Sequence, residues 1–391
     1  MKTKTKDYDR KKIYWSVKEE EEEEDSVFAR TDDKITTTQT AVIVSSYMLG
    51  TGVLTLPRTL TESVKTPDGW ISIIVGGLIM MLAGICIVKL CQQFPGKTIY
   101  QFVKEIVGSW IGSFLIMMMI IYFVTTSALQ IRVMSEVTML YLLESTPMWA
   151  IVMSFMWIGL YLITGGIKPI ARMFEIILPI TVIVFIICLS LSSKLFDIDN
   201  LRPVLGEGIF PVIRGLKSTI LAFTGYEIMF ILTAVMQYPK KGVKAVIIGT
   251  AIPLVLYVFT LIIAVGAMSI DGVVRSTWPT LDLMRSFEIT GLLFERFEFF
   301  LLVIWIMQIF ATCTITYYAA SMGLAQLFKK KIKPIMYGLL PIIFVVALLP
   351  KNMNEVFDFD DFIGNISIYL FGLLPVLLLL IAKIFKMGGV K

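Results

Sequence analysis

Apolar runs of roughly 18 or more residues recur along this chain, each long enough to cross a hydrocarbon core about 30 Å thick. No other feature narrows the fold so far. In lipid every backbone N–H and C=O needs a partner inside the protein, so the runs are read as helices. With 57% hydrophobic residues and a mean hydropathy of +0.80, the chain carries more apolar surface than a soluble domain needs. It reads as an all-α integral membrane protein.

Ten spans are expected, at approximately 37–59, 69–92, 111–142, 147–165, 173–193, 214–236, 243–268, 297–327, 333–349 and 364–386. The third is longer than a bilayer crossing needs and must tilt or project. Lys and Arg concentrate before the first span and in the loops holding Lys97, Lys168, Lys240, Lys241 and Lys329 to Lys331, so both termini are placed inside. Residues 1–34 have no short apolar core, hence no cleavable signal is expected. They carry the acidic run Glu19 to Asp25, which repels itself and is expected to be disordered and solvated; a docking tail is the sharper alternative.

Two spans are interrupted. In the first, Gly50-Thr51-Gly52 stands where a helix should be most regular, and glycine weakens a helix by about 1 kcal/mol against alanine. The matching interruption in the sixth span is Phe223-Thr224-Gly225-Tyr226-Glu227. Paired breaks in corresponding halves point to a transporter-type binding site, because broken helices survive in lipid only when buried in protein or lining a wet cavity. Small residues also permit close helix packing, and Gly-x-Gly alone is a weak signal. Pro95 to Gly112 places Ile99, Phe102, Val103 and Ile106 at helical spacing, as an amphipathic helix on the inner surface. Trp278 to Ile289 places Leu281, Leu283, Met284 and Phe287 similarly on the outer side. Ten spans, breaks in the first and sixth, and short helices after the second and seventh describe a 5+5 inverted repeat.

The chain has no histidine, and its cysteines (Cys86, Cys91, Cys188, Cys313) fall inside spans with no metal or disulfide spacing. No activated nucleophile stands out, so an enzyme is disfavoured and no cofactor or metal is expected. The mild positive balance is juxtamembrane and calls for no nucleic acid.

Leu221-Ala-Phe223-Thr224-Gly225-Tyr226-Glu227, followed by Tyr238-Pro239-Lys240-Lys241, resembles the sixth-helix signature of amino acid–polyamine–organocation transporters. The Gly50-Thr51-Gly52 break resembles their first-helix signature. A closer resemblance is to the spore germination permease family, the B subunit of endospore germinant receptors. It rests on Met48-Leu-Gly50-Thr-Gly52-Val-Leu-Thr-Leu-Pro57-Arg58, Thr66-Pro-Asp-Gly69-Trp70 and Phe196-Asp-Ile-Asp-Asn200-Leu-Arg202-Pro203-Val-Leu-Gly206-Glu207-Gly208. Trp278-Pro279-Thr280, Ser286-Phe287-Glu288 and Glu295-Arg296-Phe297-Glu298 extend it. Six motifs in order, from about residue 35 onward, make it specific.

The resemblance implies a LeuT-type fold and a receptor subunit in the spore inner membrane, working with a larger A subunit and a lipoprotein C subunit. The implied stimulus is a small nutrient such as an amino acid; an amino-acid permease working by alternating access is the alternative. The breaks would lie beside the third and eighth spans. Gly50, Thr51 and Gly52 on one side, and Phe223, Thr224 and Gly225 with Tyr226 on the other, would then offer N–H groups to a carboxylate and freed carbonyls to an ammonium. Tyr122 and Thr126 on the third span and Thr312 on the eighth are further candidates, with Thr126 and Thr312 the preferred cavity-facing residues and the plain alternative for each Thr a hydroxyl bonded back to its own helix.

Glu227 lies deep in the predicted bilayer, where an unpaired charge costs at least about 2.5 kcal/mol. Either it serves the ligand or a proton, or it holds the sixth-span break by hydrogen bonds. Arg132 and Glu136, four apart, are read as a structural ion pair rather than a gate. The fifth span has no lysine between Phe174 and Ser193, where some proton-coupled relatives of the superfamily carry one; this favours a sensor over a pump.

Overall fold

The structure, a computed structural model, describes residues 34–50, 52–285 and 298–388. The expected N-terminal tail up to residue 33, Thr51, and the Ser286-Phe287-Glu288 and Glu295-Arg296-Phe297 motifs lie outside the described residues.

The first span is two helices, α1 (Thr37–Leu49) and α2 (Gly52–Val64), bent by 50° at the break. Helix α3 (Gly69–Cys91) follows, then the short α4 (Ile99–Val107), α5 (Ser109–Tyr141), α6 (Met148–Thr164) and α7 (Ile167–Ser192). The sixth span is α8 (Phe210–Ala222), a 3-10 turn at Tyr226–Ile228 and α9 (Met229–Val235), bent by 45°. After it come α10 (Gly242–Arg275), the short α11 (Pro279–Arg285), α12 (Glu298–Phe328) and α13 (Ile332–Leu348). The last span is α14 (Met353–Ser367), which passes through a π turn at Ile368–Leu373 into α15 (Leu374–Ile384).

Among the described residues, six helices are long and apolar enough to cross a membrane, and eight if each bent pair is one span. Two shorter apolar helices, α6 and α13, stand where the other two spans are expected. Helix α10 runs past its expected end to Arg275, with a non-helical kink at Ser269 (φ 60, ψ 171). Just before that kink the chain is gripped from outside: the Gly266 carbonyl accepts from Asp197 N–H (3.0 Å) and the Asn200 side-chain amide (2.8 Å). The Phe196 ring lies where a Cβ on Gly266 would be, at 2.3 Å, so only glycine fits. The Asp-Ile-Asp-Asn motif is thereby a clamp on α10. Its loop is tied a second time by buried Asp68, which accepts from Leu205 N–H (2.7 Å) and the Thr66 hydroxyl (2.9 Å).

The helix expected on the inner surface forms as α4, but its apolar residues Ile99, Phe102, Val103 and Ile106 are buried against α5, α12 and α15 rather than offered to lipid. Tyr100 donates to Ala319 O (3.2 Å), and Thr98 bonds the Gln326 side chain, fastening α4 to the end of α12. On the other side Leu281 and Leu283 of α11 are buried, and Thr280 donates to Val53 O (3.1 Å) in α2. Arg132 and Glu136 pair at 2.7 Å along α5, mostly buried. All four cysteines are free.

At the end away from α2, Ile35 forms a parallel bridge with Met236: Ile35 N–H donates to Val235 O and Gln237 N–H to Ile35 O, both at 2.9 Å. Thr36 and Gln39 close a reciprocal cap on α1, and the Gln39 amide also reaches Glu175 of α7 at 3.2 Å. The starts of the first span and the end of the sixth are thus held together by backbone.

Candidate functional site

The two breaks meet. Gly225 adopts φ +133, a region an L side chain rarely enters, and a Cβ there would stand 3.0 Å from the Met48 nitrogen. A Cβ on Gly52 would lie 2.4 Å from the Tyr257 hydroxyl and 3.2 Å from Ala222 O. Each glycine therefore removes the atom that would separate one interrupted span from the other.

A helix that stops leaves its last four carbonyls without intrahelical partners. At the end of α1 these are taken by side chains from two other helices. The Gln308 amide of α12 donates to Ser46 O (2.5 Å) and Trp305 Nε1 to Gly50 O (3.0 Å). From α10, the Tyr257 hydroxyl donates to Met48 O and stands 3.3 Å from Ala222 O, the end of α8. Thr181 of α7 donates to the Gln308 side-chain oxygen at 3.2 Å, fixing that amide.

The second break is closed mainly by its own Glu227, steadied by Tyr122 of α5. Glu227 is fully buried; its Oε2 accepts from Gly225 N–H (2.7 Å) and its Oε1 from the Tyr122 hydroxyl (2.8 Å). Of the two readings of Glu227, the geometry builds the hydrogen-bonded brace. Phe223 is also buried, edge-on to Tyr257 with centroids 5.2 Å apart.

On the α2 and α8 side of the breaks lies a cavity of about 320 Å³. Of the residues singled out in the sequence, Gly52, Tyr122, Thr126 and Thr224 line it. Thr126 is 6% exposed and, among the described residues, its hydroxyl has no hydrogen-bond partner. Thr224 lines it while bonding back to Leu221 O at 2.9 Å. Gly50, Phe223, Gly225, Tyr226, Glu227 and Thr312 stand behind the wall instead. Thr312 bonds back to Gln308 O (3.2 Å) and abuts Gly50, whose Cβ would come 2.9 Å from that hydroxyl. Thr312 thus packs the break, which is the plain alternative for a threonine in a span.

The rest of the wall carries no site signal of its own in the sequence. Its deep part adds Tyr47, Met48, Leu129 and Gln130; its outer part brings Arg58 and Glu62 from α2 with Asp360 and Asp361 from α14. Trp305, Gln308 and Thr312, spaced three and four apart, do make one helical stripe, so the face of α12 turned to the break was readable. For Asp360 no local pattern exists.

The family described as "Spore germination protein" matches residues 34–356. Spore germination protein YndE of Bacillus subtilis (strain 168) is 56% identical, over 91% of this chain and 98% of that protein. Spore germination proteins A2 and B2 of the same organism are 39% and 34% identical, covering 90% and 86% of this chain and 96% and 92% of their own lengths. Among solved structures, MhsT in complex with L-phenylalanine matches with TM-score 0.64 and 9% identity, over 90% of this chain and 99% of that one. A Na+-coupled sialic acid symporter in a substrate-bound outward-open state gives TM-score 0.66 and 12% identity, over 90% and 80%. At such identities the likeness is one of fold, and it is the LeuT-type fold of transporters, with the first and sixth spans broken. The chain belongs to the spore germination permease family of integral membrane proteins.

Proposed function

We infer that this protein is the membrane subunit of a spore germinant receptor, binding a small nutrient such as an amino acid in the cavity beside the two breaks. It sits in the spore inner membrane with both termini cytoplasmic, so the cavity opens away from the cytoplasm, and it works with A and C subunits. The observation that carries this reading is the Thr126 hydroxyl: buried, unpartnered and on the wall of a roughly amino-acid-sized cavity. A buried hydroxyl left without a partner costs about 1–3 kcal/mol, and a bound ligand recovers it. Gly52, Tyr122 and Thr224 are the other wall residues from the breaks and α5. Gly50, Gly225, Glu227 and Thr312 shape the break, and Thr51 belongs with them by position.

Binding changes the protein's state only through differential affinity for two arrangements. The first break is suited to that, since its carbonyls are held by α10 and α12. Thr126→Trp fills the cavity, and spores carrying it lose the response to every nutrient that triggers the parent, with normal protein levels. An unchanged dose–response removes the cavity from the mechanism. The fold of transporters keeps the permease alternative in play; concentrative uptake of a labelled amino acid into liposomes holding this chain alone decides for it.

A further inference from the structure

We propose that the first break carries its own substitute for a coupling cation: the Gln308 side-chain amide, turned on Ser46 O, fills the role, and the break takes no sodium ion. The proposal stands whether or not the cavity beside the breaks is the nutrient site.

In transporters built on broken helices, ions are coordinated at the breaks, because a half-helix that stops turns the negative ends of its last carbonyls into the gap. One of the solved structures that share this fold belongs to a Na+-coupled symporter. Such an ion is held by several oxygens that together replace its hydration shell. At the first break those oxygens are already in use. Ser46 O accepts from Gln308 Nε2 (2.5 Å), Gly50 O from Trp305 Nε1 (3.0 Å) and Met48 O from the Tyr257 hydroxyl, while Tyr47 O takes Gly50 N–H (3.3 Å). Three side chains thus present hydrogens, the positive ends of their dipoles, where a cation needs bare oxygen.

The amide is set in that sense by its neighbour. Thr181 donates to Gln308 Oε1 at 3.2 Å, which leaves the nitrogen, not the oxygen, facing α1. The space beside these donors is about 20 Å³, and its wall includes the apolar side chains of Leu49, Val53, Leu54 and Phe185. Along α1, and along α12 from Phe299 onward, the sequence has no Asp or Glu to offset a cation's charge. Glu227 has both oxygens engaged at the other break. The Gln308 N–H groups supply from a fixed side chain what an ion would supply, a positive end against the C-terminus of α1. A break held by an ion loosens when the ion leaves; this one loosens only when α12 moves.

The test is the melting temperature of purified full-length protein in lipid nanodiscs, in sodium chloride against N-methyl-D-glucamine chloride at equal ionic strength, with no nutrient added. The parent is expected to melt at the same temperature in both. A melting temperature raised by sodium in the parent overturns the proposal, and this arm needs no variant. Gln308→Glu keeps the shape and exchanges the donor for an acid. At low pH the protonated carboxyl donates to Ser46 O as the amide does, so the variant melts with the parent in both salts. At high pH a carboxylate faces that carbonyl; the variant then melts several degrees below the parent at the same pH, and sodium restores part of the loss. A Gln308→Glu protein that melts like the parent at high pH in both salts overturns the proposal. Should that variant give no monodisperse protein, Gln308→Met decides, since it removes the donor and adds no charge. A melting temperature lowered by a few degrees supports the amide as the holder of the break, and an unchanged one overturns it.

Discussion

At the Gly50–Gly52 break the released carbonyls are held by Tyr257, Trp305 and Gln308, which lie 209, 255 and 262 residues further along the chain. At the Phe223–Gly225 break the main brace comes from Glu227, two residues away, steadied by Tyr122. Similar glycine-centred interruptions are therefore built on opposite plans. The first takes its shape from where α10 and α12 stand, so a shift of either helix reaches it. The second carries its own brace and keeps its shape when neighbours move. One deformable junction thus stands against one fixed one, and the cavity lies against both.

The contrast breaks most completely at Gly225. Alanine there combines a strained backbone with a Cβ 3.0 Å from the Met48 nitrogen, together worth roughly 2–5 kcal/mol. Gly225→Ala should yield little monodisperse protein on size exclusion; normal yield and melting temperature would show that the second break is not fixed. Next comes Glu227→Ala, which strands two donors at about 1–3 kcal/mol each. A clear drop in melting temperature is expected, with Glu227→Gln falling between it and the parent because one acceptor survives. Equal behaviour of the two variants would deny the brace.

Tyr257→Phe sharpens the comparison on the other side. It removes one hydroxyl donor, worth about 1 kcal/mol. Amide exchange should quicken around Met48 to Val53 and stay unchanged at Tyr226 to Ile228; a uniform rise would erase the distinction between the junctions. The smallest effect belongs to Thr126→Val, which deletes a hydroxyl without a hydrogen-bond partner among the described residues. Stability should stay within about 0.5 kcal/mol or rise slightly, while ligand affinity falls. A loss of stability without loss of affinity would make Thr126 a packing residue.

The interruptions were legible because glycine acts locally: Gly50, Gly52 and Gly225 weaken a helix whatever surrounds them. The long apolar helices, the short helices after the second and seventh, and the Arg132–Glu136 pair were readable because their signals are local too; of the ten expected spans, six to eight are long and apolar enough to cross among the described residues. The wall of the cavity was not. Thr126 and Thr312 look equivalent in sequence, each a threonine amid apolar neighbours, yet helix rotation turns one hydroxyl into space and the other against Gly50. Arg58 stands in the sequence only as the last residue of a motif, and Asp360 is one of several acids on α14, until packing puts both on one surface. Glu227 was visible as an anomaly, but its use depended on Tyr122, 105 residues earlier.

The bridge between Ile35 and Met236 reaches beyond the few atoms it joins. Helices α1 and α9 are pinned to each other there, and again at their opposite ends where Gly225 abuts Met48. Fastened at both extremities, the two half-spans make a single strut. Parting the two half-spans at that end then requires either breaking two backbone hydrogen bonds at Ile35 or swinging the whole strut as one piece, and the hinges for that swing are the junctions next to the cavity.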